Sequence, residues 1–171
     1  MHALKLIALF CIFCLAGLPA QAKPGRVAEV VDGDTLIVEW HNGESGRVRL
    51  FGIDCPEAIY AGRWEAQPFS RMAAEFVQTA VAEGSCEVAV FQINESYGRV
   101  VGVVTLLTTG RTLQEDLLRA GLAWVDTRYC KNSIYECRDW LLLQEEAAQE
   151  KRGLWHDPDP IPPWSWRGRT D

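Results

Sequence analysis

Basic residues are not in excess in this chain. Its 171 residues include 17 lysines and arginines against 23 aspartates and glutamates, for a formal net charge of −6. That balance argues against a protein gripping nucleic acid across a broad basic face, because phosphate contacts ordinarily come with a positive surface. It leaves room for a local patch of a few arginines. Histidine is scarce, at three residues, and His41 and His156 stand isolated. No C-x-x-C spacing occurs beyond Cys14, so a zinc site is poorly supported. No histidine has a clear place beside a cysteine, which argues against a thiol nucleophile. Internal repeats and long low-complexity runs are missing. The apolar run from Leu6 to Leu18 is short for a bilayer span. What is present is an apolar content of 48% with 23% charged residues, enough for one domain with a real core.

The N-terminus reads as an export signal. Lys5 gives a weakly basic start, Leu6 to Leu18 is mostly apolar, and Ala20-Gln21-Ala22 before Lys23-Pro24 fits a small-x-small cleavage site. Residues 1–22 are therefore expected to be a signal peptide, and the mature protein to be exported, periplasmic or secreted, with no stable membrane insertion. Cys11 and Cys14 leave with that segment. Cys55, Cys86, Cys130 and Cys137 remain, and in an oxidising compartment disulfides are expected. Three pairings are open. Cys130–Cys137 with Cys55–Cys86 is preferred, because the first pair closes a short loop just before a helix.

The mature chain divides by pattern. Arg26 to Val31 and Leu36 to Trp40 read as strands flanking Asp32-Gly33, followed by a turn over His41 to Ser45 and a third strand over Arg47 to Ile53. In that strand Val48 and Leu50 share one face, and Arg47 and Arg49 the other. Pro68 to Ala82 has helical spacing, with Gly84 just past its end. Glu87 to Gln92 and Val100 to Leu107 form two more strands around a turn at Asn94 to Gly98. Thr112 to Glu115 is a capping box whose helix stops at Gly121. A second capping box, Ser133 to Glu136, opens a long helix with Ile134, Cys137, Leu141 and Ala148 on one stripe, ending near Gly153. Five strands with a helix after the third is the layout of a mainly β OB-fold barrel, here flanked by about three helices. Residues 157–171 form a Pro/Trp-rich tail. Pro160 to Pro163 suits an extended segment, and Trp155, Trp164 and Trp166 are expected against the domain or at its surface.

Four short segments carry chemistry: Asp32 to Thr35, Arg49, Asp54 to Glu57 and Tyr97 to Arg99. Singly, each has an ordinary explanation. Asp32-Gly33 is a turn dipeptide, Asp54 to Glu57 a strand exit, and Tyr97 to Arg99 a hairpin turn. An EF-hand is excluded, since the ligand pattern is not continued. Together they offer carboxylates for a hard metal ion, two arginines for a phosphate and a base for water.

The ordered set resembles the staphylococcal nuclease (thermonuclease) family. The resemblance rests on Val31 to Thr35, Arg49 to Glu57, Tyr97 to Arg99 and Leu118 to Ala123, and it spans about Arg26 to Trp155. Glu65 to Phe69, Gly153 to Trp155 and Pro160 to Trp164 are similar to its exported bacterial branch. The resemblance implies a nuclease domain over residues 23–156, an OB-fold barrel and calcium-dependent hydrolysis of DNA, RNA or both, leaving 3′-phosphate ends. By matching motifs it implies Asp34, Asp54 and the Cys55 backbone carbonyl as metal ligands. Arg49 and Arg99 then become phosphate-binding arginines, Glu57 the general base, and Asp32, Tyr97 and Tyr129 supporting residues. Ca²⁺ suits such hard oxygen ligands, with Mg²⁺ the less favoured ion. One member of the family has threonine at the position of Cys55, a change that a carbonyl ligand tolerates. Ser96 and Thr127 replace a basic residue and a tyrosine, which implies weaker, more salt-sensitive binding of polymer. A monomer is expected. The competing readings are a catalytically silent OB-type nucleic-acid-binding module and a disulfide-stapled envelope protein with structural calcium. The first has no need for all of Asp34, Arg49, Asp54, Glu57 and Arg99, and the second does not explain the two arginines.

Overall fold

Alternating apolar residues pay off first in the strands. The computed structural model describes residues 22–59, 65–82, 87–129 and 137–168. Within them β1 (Ala22–Val30), β2 (Thr35–Trp40) and β3 (Ser45–Leu50) form an antiparallel meander. After a two-residue β4 (Ile53–Asp54) and helix α1 (Ser70–Ala82) come β5 (Glu87–Ser96) and β6 (Arg99–Leu106). The five long strands close in the order β1-β2-β3-β6-β5, with β5 returning to β1. The β3–β6 pair is parallel. This is the expected OB-type barrel, and closure leaves the five-stranded sheet without an open edge. The signal segment, apart from Ala22, lies outside the described residues, as do Ile134 and the second capping box.

The core fills the barrel and continues under the helices. Leu36, Val38, Val48, Leu50, Val88, Val90 and Val104 are buried residues of the inner face, and Val103 is buried on the opposite face of β6. Helix α2 (Leu113–Arg119) starts at the expected capping box, with Thr112 and Glu115 each bonding the other's backbone. Its buried Gln114 is satisfied at both ends of its amide, accepting from Val104 N–H at 3.3 Å and donating to the Gly102 carbonyl at 3.0 Å. A buried amide tolerates the core only when so paired.

Several boundaries differ from the pattern reading. The third strand stops at Leu50. The chain turns at Phe51-Gly52, where Gly52 has φ +73° and lies against the Trp140 ring. A Cβ there would meet that ring at 2.6 Å, so the site needs glycine for both conformation and space. Ile53–Asp54 then pairs with β7 (Trp124–Val125) instead of continuing β3. Helix α1 begins at Ser70, because Phe69 takes a left-handed φ of +70°. The β5–β6 turn tightens to Tyr97-Gly98, with positive φ at both residues, the geometry of a two-residue hairpin loop. Helix α3 (Arg138–Gln149) buries Trp140 and Ala147, with Cys137 just before it, while Leu141 is exposed. Its inner face is thus one residue out of register with the expected stripe, because the large Trp140 ring packs on Phe51 at 6.4 Å. After a turn of 3-10 helix at Gly153–His156, the chain bends over residues 157–159, where Asp159 N–H donates to Asp157 Oδ1 at 2.9 Å, and reaches an extended Pro162. It then forms a single helical turn, α4 (Pro163–Arg167). Trp155 and Trp164 pack on Trp124 at 4.4 and 6.0 Å.

Candidate active site

The β1–β2 loop is built to present Asp34. The Asp32 carboxylate accepts from Asp34 N–H at 3.0 Å, a turn closed by its own side chain. Gly33 fits where a Cβ would come within 2.8 Å of both Ala73 and Cys55, so the loop can press onto α1. The Asp34 carbonyl accepts from Leu50 N–H at 2.8 Å, fixing the loop to the end of β3. Its Oδ2 accepts from Cys55 N–H at 2.7 Å. Burial makes the Asp32 carboxyl harder to ionise, partly offset by Arg49 and by hydrogen bonds from Thr35. The turn needs an oxygen acceptor more than a charge. Asp32→Asn is therefore expected to change stability by less than about 0.5 kcal/mol, and Asp32→Ala to cost about 1 kcal/mol. Urea unfolding of both variants checks this, and equal losses would count against the turn as the role of Asp32.

Asp34 and Asp54 converge on one guanidinium. Arg49 projects from the β3 face opposite Val48 and Leu50, as its alternation requires. Its Nη1 contacts Asp34 Oδ1, and its Nη2 donates to Asp54 Oδ1 at 2.6 Å. Both carboxylates are almost fully buried, and buried charges of one sign persist only with such pairing. Asp54 reaches this point because the Gly52 turn redirects the chain. Beyond them lies an open cleft of about 490 Å³ lined by Asp32, Asp34, Arg49, Glu57, Arg99 and Tyr129, among others. Glu57 is placed by a buried neighbour. Its N–H donates to Gln67 Oε1 at 3.0 Å, and Gln67 N–H donates to the Glu57 carbonyl at 2.9 Å.

The structure thus gathers residues from five separate parts of the chain, and it corrects one expectation, the Cys55–Cys86 disulfide. Tyr97 stands at the tip of the β5–β6 hairpin, 95% exposed, and is not among the residues lining the cleft. Cys55 is a free, buried thiol, so the Cys55–Cys86 pairing does not form. Its side chain is packed beneath Gly33 in the core. Burial pushes its thiol well up, with Arg49 opposing and neighbouring carboxylates reinforcing that shift. Cys137 is disulfide-bonded, and its expected partner Cys130 lies outside the described residues.

One residue of the site was missed from sequence. Arg167, from α4, donates from Nη2 to Asp54 Oδ2 at 2.7 Å and from Nη1 to Asp54 Oδ1 at 3.3 Å and to Glu57 Oε1. Burial works against its charge, but the hydrogen bonds and negative charge of Asp54 and Glu57 outweigh that and hold it more firmly protonated than usual. Its only local signal is its place just after the Pro/Trp run.

A family model described as staphylococcal nuclease homologue matches residues 47–157. The chain belongs to the staphylococcal nuclease family. Asp32, Asp34 and Arg167 lie outside the span matched to that nuclease family. An Escherichia coli protein named "Uncharacterized endonuclease" is 38% identical over 145 residues, covering 85% of both chains. A Shigella flexneri protein named "Micrococcal nuclease" is 29% identical over 176 residues, covering 96% of this chain and 92% of its own. The Arabidopsis thaliana protein "Staphylococcal-like nuclease CAN1" is 35% identical over 121 residues, covering 71% of this chain and 33% of its own.

The donor chemistry fits a hard divalent cation. Asp34 and Asp54 already converge on one positive group. Among the described residues, no group of three or more His, Cys, Asp or Glu side chains is arranged to hold a metal. Two carboxylates are hard oxygen donors of the kind calcium and magnesium accept.

Proposed function

We propose that this protein is an exported, calcium-dependent nuclease that hydrolyses phosphodiester bonds of DNA, RNA or both and leaves 3′-phosphate ends. The observation that carries the reading is the convergence of Asp34 and Asp54 on Arg49, with Glu57 and Arg99 in the same cleft. Relatives named nuclease and endonuclease support the reaction class, and residues 1–22 support export. Among the described residues no helix is long and apolar enough to cross a membrane.

Asp34, Asp54 and the Cys55 carbonyl would hold the cation, which when bound neutralises phosphate charge. Arg49 and Arg99 bind the non-bridging phosphate oxygens. Their paired hydrogen bonds strengthen as negative charge builds on those oxygens. Glu57 positions a water and takes its proton during attack. Gln67 holds the Glu57 backbone during that step, so the carboxylate is aimed from a fixed base.

Cleavage of single-stranded DNA and of RNA should appear with Ca²⁺, weaken with Mg²⁺ and vanish with chelator. Glu57→Gln should lower turnover by about 10²-fold with little change in fold. Binding without cleavage under every metal condition would replace this reading with a silent binding module.

A further inference from the structure

We propose that Arg167 is a built-in counter-cation which a divalent metal ion must displace, so that the C-terminal tail sets how tightly the site binds metal. This rests on the metal-dependent reading above.

The tail is docked by specific contacts. Gln67, buried and already bonded to the Glu57 backbone, donates from Nε2 to the Ile161 carbonyl at 2.6 Å. Trp164 packs edge-on against Trp124, and Arg128 lies 5.5 Å over the Trp164 ring. Pro163 is buried. One side chain therefore braces both Glu57 and the segment that delivers Arg167.

The position reached is on one of the two carboxylates an ion would share, Asp54, beside the Arg49 fork that joins it to Asp34. Asp54 is 1% exposed, and both its oxygens are engaged, Oδ1 by Arg49 and Arg167 and Oδ2 by Arg167. A calcium ion sits about 2.3–2.6 Å from a carboxylate oxygen. The Arg167 nitrogen stands 2.7 Å from Oδ2, so along that approach the two cations compete for one place and also repel each other. The same guanidinium covers Glu57 Oε1. While covered, that oxygen is a poor acceptor for a proton from water. Leaving Asp54 thus frees the ligand and the base together. The Arg167 side chain is about one-third exposed, which gives it a path outward into the cleft.

Calorimetric Ca²⁺ titration of the full chain, with Tb³⁺ luminescence as a second probe, tests this. Arg167→Gln is expected to tighten binding by about tenfold, the effect of removing one nearby positive charge in a partly screened site. Arg71→Gln, at an exposed position on α1, should stay within about twofold. In the wild-type chain the Arg167 Nε–H resonance should shift on saturation with Ca²⁺, a readout that needs no variant. Unchanged or weaker binding by Arg167→Gln, or an unmoved resonance at saturation, would overturn the proposal while leaving the metal site standing. Should no variant bind either ion, the metal reading itself falls, and this proposal with it.

Discussion

Arg49→Ala is expected to lower turnover by about 10³-fold and, in chelator, to cost about 3–5 kcal/mol of stability. Both effects come from the same fork. The Arg49 guanidinium bridges Asp34 and Asp54, which are 3% and 1% exposed. Without it, the two buried carboxylates keep Arg167 as their cationic partner, and that residue touches Asp54 rather than Asp34. Uncompensated buried charge is among the few causes of a loss this large. A bound cation would neutralise the same oxygens, so part of the stability should return with Ca²⁺ while activity stays low. That split would separate the proposed phosphate-binding role from the structural one. Urea unfolding with and without Ca²⁺, run beside single-turnover cleavage, measures it. A variant as stable as wild type in chelator would mean that Arg49 is not what balances these carboxylates.

Trp140→Ala should cost about 3–5 kcal/mol and disturb the site from a distance. Trp140 packs on Phe51 and against Gly52, the turn that ends β3 and sends Asp54 toward Arg49. That turn is otherwise tied by Phe51 N–H to the Gly102 carbonyl and by the Gly52 carbonyl to Asp126 N–H, each at 2.9 Å. Removing the indole leaves a cavity beneath it. The loss should show as a lower urea midpoint with an unchanged m-value and as reduced activity that added metal does not restore. Leu142→Ala, on the exposed face of the same helix, is the comparison and should change stability by less than about 0.5 kcal/mol. Equal losses in the two variants would show that α3 does not support the turn.

The strand pattern made most of the barrel legible. Val48 and Leu50 on one face required Arg49 on the other, whatever the rest of the chain did, because side chains alternate along a strand. The Thr112–Glu115 capping box marked the start of α2 for a similarly local reason. Where the pattern reading slipped, a long-range contact decided. The apolar run through Ile53 looked like one strand, but Trp140 from α3 occupies the side of Gly52 and the chain turns. Leu141 looked like the inner face of α3, but the larger Trp140 took that place.

The site divides the same way. The sequence by itself determined the stock of groups: acids at 32, 34, 54 and 57, arginines at 49 and 99, and an order matching a nuclease family. Those motifs are short and local, and the chemistry of each residue type is carried in the chain. Only the tertiary structure decided which groups meet. It buried Cys55 as a free thiol beneath Gly33, turned Tyr97 away at a hairpin tip and drove Arg167 onto Asp54 across 113 residues of chain. Such contacts depend on how the tail packs against Gln67 and Trp124, and no spacing along the chain encodes them. The site's buried carboxylates could be named from the sequence, while the arginine seated among them needed the folded tail.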